Sequence, residues 1–92
     1  MTRRKNPRFI QFRPKVSYFK PQGIPLRLLE EVILEADELE ALKLYEVDRI
    51  SQIEAAKKMK ISQPTFARIL DSANQKVASA LIFGKAIRIE RL

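Results

Sequence analysis

Apolar residues recur every three or four positions in the second half of the chain, which is the spacing of one face of an α-helix. The first to do so are Ile53, Ala56 and Met59. This spacing predicts a helix over residues 52–60 whose apolar side faces a core. Ser51 and Glu54 form a capping box at its start, because the hydroxyl and the carboxylate each satisfy a backbone N–H that the first turn leaves unpaired.

A longer helix is predicted after a short turn. Ser62 supplies its cap, and Pro64 falls in its first turn, where a missing N–H costs nothing because that donor has no helical partner. Apolar residues then follow at helical spacing, so we expect the helix over residues 63–82 and its end at Gly84. These apolar residues are Phe66, Ile69, Leu70, Ala73, Val77, Ala80 and Leu81.

Two short-linked helices of this kind are typical of a helix-turn-helix, whose second helix enters the DNA major groove. Ala56 has the small side chain that a close crossing of the second helix requires, and Ile61 places an apolar side chain inside the turn. A helical hairpin of an ordinary all-α protein shares the periodicity but does not need the short polar turn. Lys60 stands where glycine is usual, and with a positive φ it would cost about 1 kcal/mol relative to glycine.

A third helix is predicted upstream, over residues 37–47, with Asp37 and Glu40 as an acidic cap pair. It would pack behind the other two and complete a tri-helical body that holds the recognition helix rigidly. The fold class is therefore mainly α, with short N- and C-terminal β-strands.

The strands are predicted from alternation. Residues 85–91 alternate apolar and charged side chains, as a half-buried strand does. Residues 31–35 are a short run rich in β-branched side chains that we expect to be extended, although residues 26–36 also fit a helix. The segments around Ile10 and at residues 16–19 could add strands, or the first ten residues could be a flexible basic arm.

Charge is strongly segregated along this chain of 92 residues and net charge +7. Residues 1–20, the basic arm, carry +7, residues 21–56 carry −6, and residues 57–92 carry +6. This pattern favours a polyanion bound on one face. Neutralising about six phosphates would lower the affinity about a thousandfold between 50 and 200 mM salt.

Composition excludes several other classes of function. The chain has no cysteine and no histidine, so disulfides, thiol chemistry and the usual zinc sites are excluded. We expect a cytoplasmic protein, since no apolar run would span a bilayer and the N-terminal arginines lack the apolar stretch of a secretory signal.

Enzymatic activity is not expected, and no cofactor or metal is predicted. Mg²⁺-dependent nuclease chemistry would need carboxylates that converge on one point, and the acidic residues of the middle segment are more simply explained as caps and a solvated face. These are Glu30, Glu31, Glu35, Asp37, Glu38 and Glu40.

Residues 37–81 resemble region four of bacterial sigma factors, in the order helix, capped helix, turn and long recognition helix. FKPQGIPL at residues 19–26, DELEAL at 37–42, EAAKKM at 54–59, ISQPTFARIL at 61–70 and GKAIRI at 84–89 resemble a family of small prokaryotic proteins catalogued as an uncharacterised domain and predicted to bind DNA. The resemblance implies a tri-helical helix-turn-helix domain of the winged-helix-like superfamily at residues 21–92.

Similarity to region four implies that Gln63, Thr65 and Arg68 face base edges, since Pro64 and Ala67 at the neighbouring positions lack polar atoms. Gln pairs bidentately with adenine, Arg with guanine, and Thr suits a thymine methyl or a phosphate. The remaining predicted contacts are to the DNA backbone. They are Ser62, Lys57, Lys58, Lys60, Lys76, Arg3, Arg4 and Lys5.

The expected function is sequence-specific binding of double-stranded DNA as a transcriptional regulator. A homodimer is expected, because one recognition helix reads few bases, and residues 77–82 or the terminal strand could form its surface. One alternative is an interaction module whose acidic segment binds RNA polymerase or another transcription protein. Another is an RNA-binding accessory protein that uses the aromatics of residues 1–20, although these more simply pack under a small sheet.

Overall fold

The computed structural model describes residues 9–90 of the chain. In that part, three α-helices pack beside a small three-stranded sheet. The elements are β1 (Tyr18–Phe19), β2 (Glu31–Leu34), α1 (Ala36–Leu42), α2 (Gln52–Met59), α3 (Gln63–Phe83) and β3 (Ala86–Ile89). A 3₁₀ turn at Leu26–Leu28 precedes β2, and a π-helical segment at Lys43–Val47 continues α1. Across these residues, no helix is both long and apolar enough to cross a membrane.

The sheet has β3 at its centre, antiparallel to β1 and parallel to β2. A parallel pair needs a long crossover connection, and here all three helices lie within it. Leu34 and Ile89 point inward and are buried. The extended conformation expected within residues 31–35 is confirmed, whereas the segment around Ile10 forms no strand.

The start of α1 differs from the prediction. Glu35 is the N-cap, and it forms a capping box with Glu38 in which the Glu35 N–H donates to Glu38 Oε1 at 2.8 Å. The predicted pair of Asp37 and Glu40 is wrong, because in a run of closely spaced acids the same offset of three occurs more than once. The helix therefore begins at Ala36.

The acidic residues of α1 are not the solvated face that was expected. Asp37, Glu38 and Glu40 are 6%, 6% and 4% exposed. Two of these carboxylates have partners from distant segments, since Glu38 accepts from Ser72 at 2.6 Å and Glu40 accepts from the Phe12 N–H at 2.9 Å. Hydrogen bonding of this kind is what makes a buried charge tolerable.

The main core lies where α1, α2 and α3 meet. It consists of Ala41, Leu44, Ala55, Ala56, Met59, Phe66 and Leu70. Phe66 and Met59 are completely buried, and burial of each stabilises the fold by about 2–3 kcal/mol. A second cluster joins the sheet to the middle of α3 through Leu34, Ala73 and Ile89.

Two predicted core positions are wrong. Ile53 is 54% exposed, because the inner face of α2 is centred on Ala55 and Met59 and turns Ile53 outward. Leu81 is also exposed, since α3 extends beyond the residues that pack on it. Periodicity identified each helix but not where its buried face ends.

Candidate nucleic-acid interface

The turn between α2 and α3 is formed by backbone hydrogen bonds rather than by glycine. Lys60 has φ 59° and ψ 45°, in the left-handed region. Its N–H donates to the carbonyl of Lys57 and that of Ile61 donates to Ala56, each at 3.0 Å. Lys60 therefore has a positive φ, and the cost of about 1 kcal/mol relative to glycine applies.

The first turn of α3 is closed by its serine cap. Ser62 Oγ accepts from the Thr65 N–H at 3.2 Å, as an N-cap does, and its own hydroxyl donates to Thr65 Oγ1 at 2.9 Å. Arg68 Nη2 donates to the same Thr65 oxygen at 3.4 Å. The three side chains thus form one connected polar group on the surface of α3.

The predicted base-reading residues lie at the accessible end of α3. Gln63 and Arg68 are exposed and Thr65 is half-buried. Directly behind them, Phe66 is fully buried against α2, so the backbone that carries these side chains is fixed by core packing. The arrangement presents amide, hydroxyl and guanidinium groups on a rigid helix end.

Positive charge surrounds this end of α3. The side chains of Lys57, Lys58 and Lys60 are exposed on the last turn of α2 and on the turn. Lys57 lies 3.8 Å from Glu54, an exposed pair of the kind that contributes little and leaves the ammonium available. Lys57, Lys58 and Lys60, three of the predicted backbone contacts, are thus exposed close to the start of α3, and their role stays a prediction.

Residues near the N-terminus run past the same turn. The Phe9 N–H donates to the carbonyl of Met59 at 3.0 Å, and the Lys60 ammonium lies 5.1 Å from the Phe9 ring centroid. The described chain therefore begins beside the turn. Arg3, Arg4 and Lys5, the predicted contacts of the basic arm, lie outside the described residues.

Lys76 is positioned differently from the other predicted backbone contacts. Its ammonium donates to Glu38 Oε1 at 2.8 Å and to the Ile33 carbonyl at 2.6 Å. Both acceptors belong to the domain itself, so we do not assign Lys76 to the DNA interface.

The aromatic residues of the N-terminal segment do not pack under the sheet, contrary to expectation. Phe9, Phe12 and Phe19 are all exposed. The Lys43 ammonium, for example, lies 5.7 Å from the centroid of the Phe12 ring. The sheet is too small to cover them, because β1 has only two residues.

Sequence reasoning missed a polar cluster on the sheet. Arg88 forms a bidentate pair with Glu31 at 3.0 and 2.9 Å, and the Tyr18 hydroxyl donates to Glu31 at 2.6 Å. The hydrogen bonds from Arg88 and then Tyr18 lower the pKa of Glu31, while the bond to Glu31 raises the pKa of Tyr18. No local signal identifies this cluster, because Glu31 and Arg88 are 57 positions apart.

Metal binding has no support within residues 9–90, where no group of acidic side chains is arranged to hold an ion. The buried carboxylates of α1 instead accept hydrogen bonds from protein donors, as the contact of Glu38 with Ser72 illustrates.

The chain is similar to several curated bacterial proteins. It is 55% identical to a UPF0251 protein of Caldanaerobacter subterraneus over 83 residues, which are 90% of this chain and 70% of that one. It is 58% identical to one of Dehalococcoides mccartyi over 77 residues, 84% of this chain and 66% of that one. For a UPF0251 protein of Halothermothrix orenii the identity is 46% over 90 residues, 98% of this chain and 67% of that one.

No solved structure matches the chain. The family model described as protein of unknown function DUF134 matches residues 1–91. Nearly the whole chain is therefore covered by one family model, and its relatives carry the corresponding family name, so the chain belongs to the DUF134 (UPF0251) family.

Proposed function

We propose that the chain binds double-stranded DNA in a sequence-specific manner and acts as a transcriptional regulator. In this proposal α2, the turn and α3 form a helix-turn-helix similar to that of sigma region four, and α3 enters the major groove. One observation carries the proposal: Gln63, Thr65 and Arg68 are accessible at the start of α3, while Phe66 behind them is fully buried.

Base reading is assigned to the three polar side chains. Arg68 suits the N7 and O6 acceptors of guanine, and Gln63 suits the donor and acceptor of adenine. Thr65 accepts hydrogen bonds from both Ser62 and Arg68, so it orients the guanidinium as well as contacting DNA itself. A guanidinium held in this way loses less conformational entropy on binding.

Backbone positioning is assigned to the cations around the turn. Lys57, Lys58 and Lys60 would each neutralise a phosphate and add affinity with little discrimination between sequences. The hydrogen bond from Phe9 to Met59 keeps the start of the described chain beside the turn. Arg3, Arg4 and Lys5 remain predicted contacts of the basic arm.

The two alternatives have weaker support. A protein-docking surface on the acidic segment would need carboxylates that are exposed and unpaired. Asp37, Glu38 and Glu40 are buried, and the exposed Glu31, Asp48 and Glu54 are paired with cations of the chain. Single-stranded RNA would need free aromatic faces, and cations already lie over the rings of Phe9 and Tyr18. Both alternatives remain outcomes of the test.

The test is selection of bound sequences from a random duplex pool, followed by titration of the enriched duplex and of a scrambled one. We expect Arg68→Ala to lose about 1–3 kcal/mol on the enriched duplex and to bind both duplexes more equally. Lys58→Ala should weaken binding to both duplexes alike. Arg27→Ala is the matched control, because it removes an equally exposed cation in the turn before β2.

Failure to enrich any sequence, or equal losses for Arg68→Ala on both duplexes, contradicts the proposal. Titration with a single-stranded RNA then distinguishes the alternatives. Affinity that survives deletion of residues 1–8, which leaves the contacts of Phe9 and Phe12 in place, supports RNA binding through the aromatic residues, and no affinity for RNA leaves the protein-docking module. A deletion of residues 1–20 is unsuitable, because it also removes β1 from the sheet.

A further inference from the structure

The C-terminal end of α3 exposes a cluster of large apolar side chains. Leu81, Ile82 and Phe83 are 75%, 76% and 72% exposed. They surround the end of the helix rather than follow one side of it, and Phe19 of β1 is exposed close by, since it lines a groove together with Leu81. We call Phe19, Leu81, Ile82 and Phe83 the apolar end patch.

This part of α3 is also depleted in charge. Of the whole chain, 32% of residues are charged, yet residues 72–84 contain a single charged residue, Lys76. Its ammonium is already paired with Glu38 and lies on the inner side of the helix. Lys85 follows at the edge of the patch, where its ammonium lies 5.7 Å from the Phe83 ring centroid and 3.8 Å from Glu30. Covering the rest of this surface would desolvate little charge, which is the property that distinguishes the centre of a protein interface.

A groove adjoins the patch and offers a place for a projecting side chain. It has a volume of about 310 Å³ and is lined mainly by apolar groups, including Phe19, Pro21, Leu81 and Ile87. The protruding side chains and the groove thus lie side by side on the same surface. A two-fold axis at Ile82 would bring the Ile82 side chains of the two copies together and place Phe83 of each copy in the groove of the other, which is the self-complementarity of an isologous interface.

We propose that the apolar end patch joins two copies of this chain into a symmetric dimer. Its four side chains expose roughly 500 Å² per copy, if a fully exposed large side chain has about 200 Å². A standard interface buries about 800 Å² per partner. The remaining area would come from the polar rim around the patch, at Lys20, Gly84 and Lys85. The dimer itself does not depend on the proposed DNA binding.

The test measures the mass of the full chain by sedimentation without DNA. The wild type is expected at twice 10.7 kDa at micromolar concentration. Ile82→Glu should raise the dissociation constant at least about a hundredfold, because the two-fold axis brings two carboxylates together. The substitution leaves the folded monomer intact, since the side chain is exposed, and thermal unfolding checks this.

A charge-complementary mixture provides the decisive readout. Ile82→Glu and Ile82→Lys should each be monomeric alone and should form a heterodimer when mixed in equal amounts. Val47→Glu is the matched control, because Val47 is 71% exposed at the end of the π-helical segment and outside the patch. It should dimerise like the wild type.

Three results would overturn the proposal: a wild type that is monomeric at 100 µM, a dimer that survives Ile82→Glu, or a dimer that Val47→Glu disrupts. Because all are measured without nucleic acid, they leave the test of DNA binding independent. Conversely, a dimer that forms as expected but binds no duplex would contradict the proposed DNA binding and leave the dimer proposal intact.

Discussion

The ammonium nitrogen of Lys76 lies 2.8 Å from Oε1 of Glu38, in the contact between α3 and α1. The same ammonium donates to the carbonyl of Ile33 at 2.6 Å, so one side chain connects β2, α1 and α3. Glu38 is buried, and its other oxygen accepts from Ser72 at 2.6 Å. The pair therefore joins α3 to α1 and β2, in addition to the core packing of these elements.

Lys76→Met is expected to destabilise the domain by about 3 kcal/mol, because it leaves a buried carboxylate without its cation. Adding Glu38→Gln should recover most of that loss, since no uncompensated charge then remains. Urea unfolding of the single and double variants measures both effects. Lys57→Met, at an exposed pair with Glu54, is the control and should change stability by less than about 0.5 kcal/mol. Equal stability of Lys76→Met and this control contradicts the prediction.

Substitutions at Lys60 separate backbone strain from charge. Lys60→Gly and Lys60→Ala both remove the cation over Phe9, but only glycine relieves the left-handed conformation at φ 59°. The glycine variant should therefore be more stable than the alanine variant by about 1 kcal/mol. Both should lose the same DNA affinity and reduce the slope of log affinity against log salt by about 1. A glycine variant no more stable than the alanine variant would show that the turn is unstrained.

Acid should weaken the sheet through Glu31. Its pKa is lowered in the folded state, so its contribution to stability is complete above the unfolded value of about 4.5 and is lost as the pH falls through the lower folded pKa. Glu31→Gln should therefore show a shallower loss of stability between pH 5 and pH 2, measured by urea unfolding at each pH. Glu46→Gln is the control, because its contact with Arg49 is only a 4.0 Å exposed pair. An acid profile for Glu31→Gln that matches the wild type refutes this role.

The dimer restricts the spacing of DNA half-sites. α3 has 21 residues and is about 31 Å long. Two copies joined at the C-terminal ends of α3 can place their Gln63 ends no more than about 70 Å apart, which is two helix lengths plus a packing distance of about 8–10 Å. This reach permits half-sites one helical turn apart, about 34 Å, or at most two turns, about 68 Å, but not three. Selection from random duplexes should therefore enrich half-sites separated by one or two helical turns, and enrichment at three turns, about 31 base pairs, rules out this geometry.

The helix ends were predictable because their signals are local. Ser51, Ser62 and Gly84 each act within four residues of the helix end that they mark, and the structure has α2 and α3 within one residue of the predicted bounds. The cap of α1 was predicted at Asp37 but lies at Glu35, because each of these residues has a glutamate three positions further on. Tertiary packing decided it, since Glu38 is the carboxylate that reaches Ser72.

Gln63, Thr65 and Arg68 were singled out through the resemblance to region four; the structure leaves Gln63 and Arg68 exposed and Thr65 half-buried, and their contacts with bases stay a prediction. The position of Lys76 could not be predicted, since its partners Ile33 and Glu38 are about 40 positions away and come close only after the helices pack. Periodicity alone predicts that a charged residue of a helix is exposed to solvent. The half-buried position of Lys76 beside the buried Glu38 is a property of the assembled fold.

The parallel pairing of β2 with β3 has a kinetic consequence. Glu31 and Arg88 are 57 positions apart, so pairing the strands closes a longer loop than the contact of Glu38 with Ser72 between α1 and α3, which spans 34 positions. A longer loop costs more entropy to close, so we expect the strands to pair after the helices have packed. The amides of the sheet should then be among the first to exchange with solvent, which hydrogen exchange of the native chain measures.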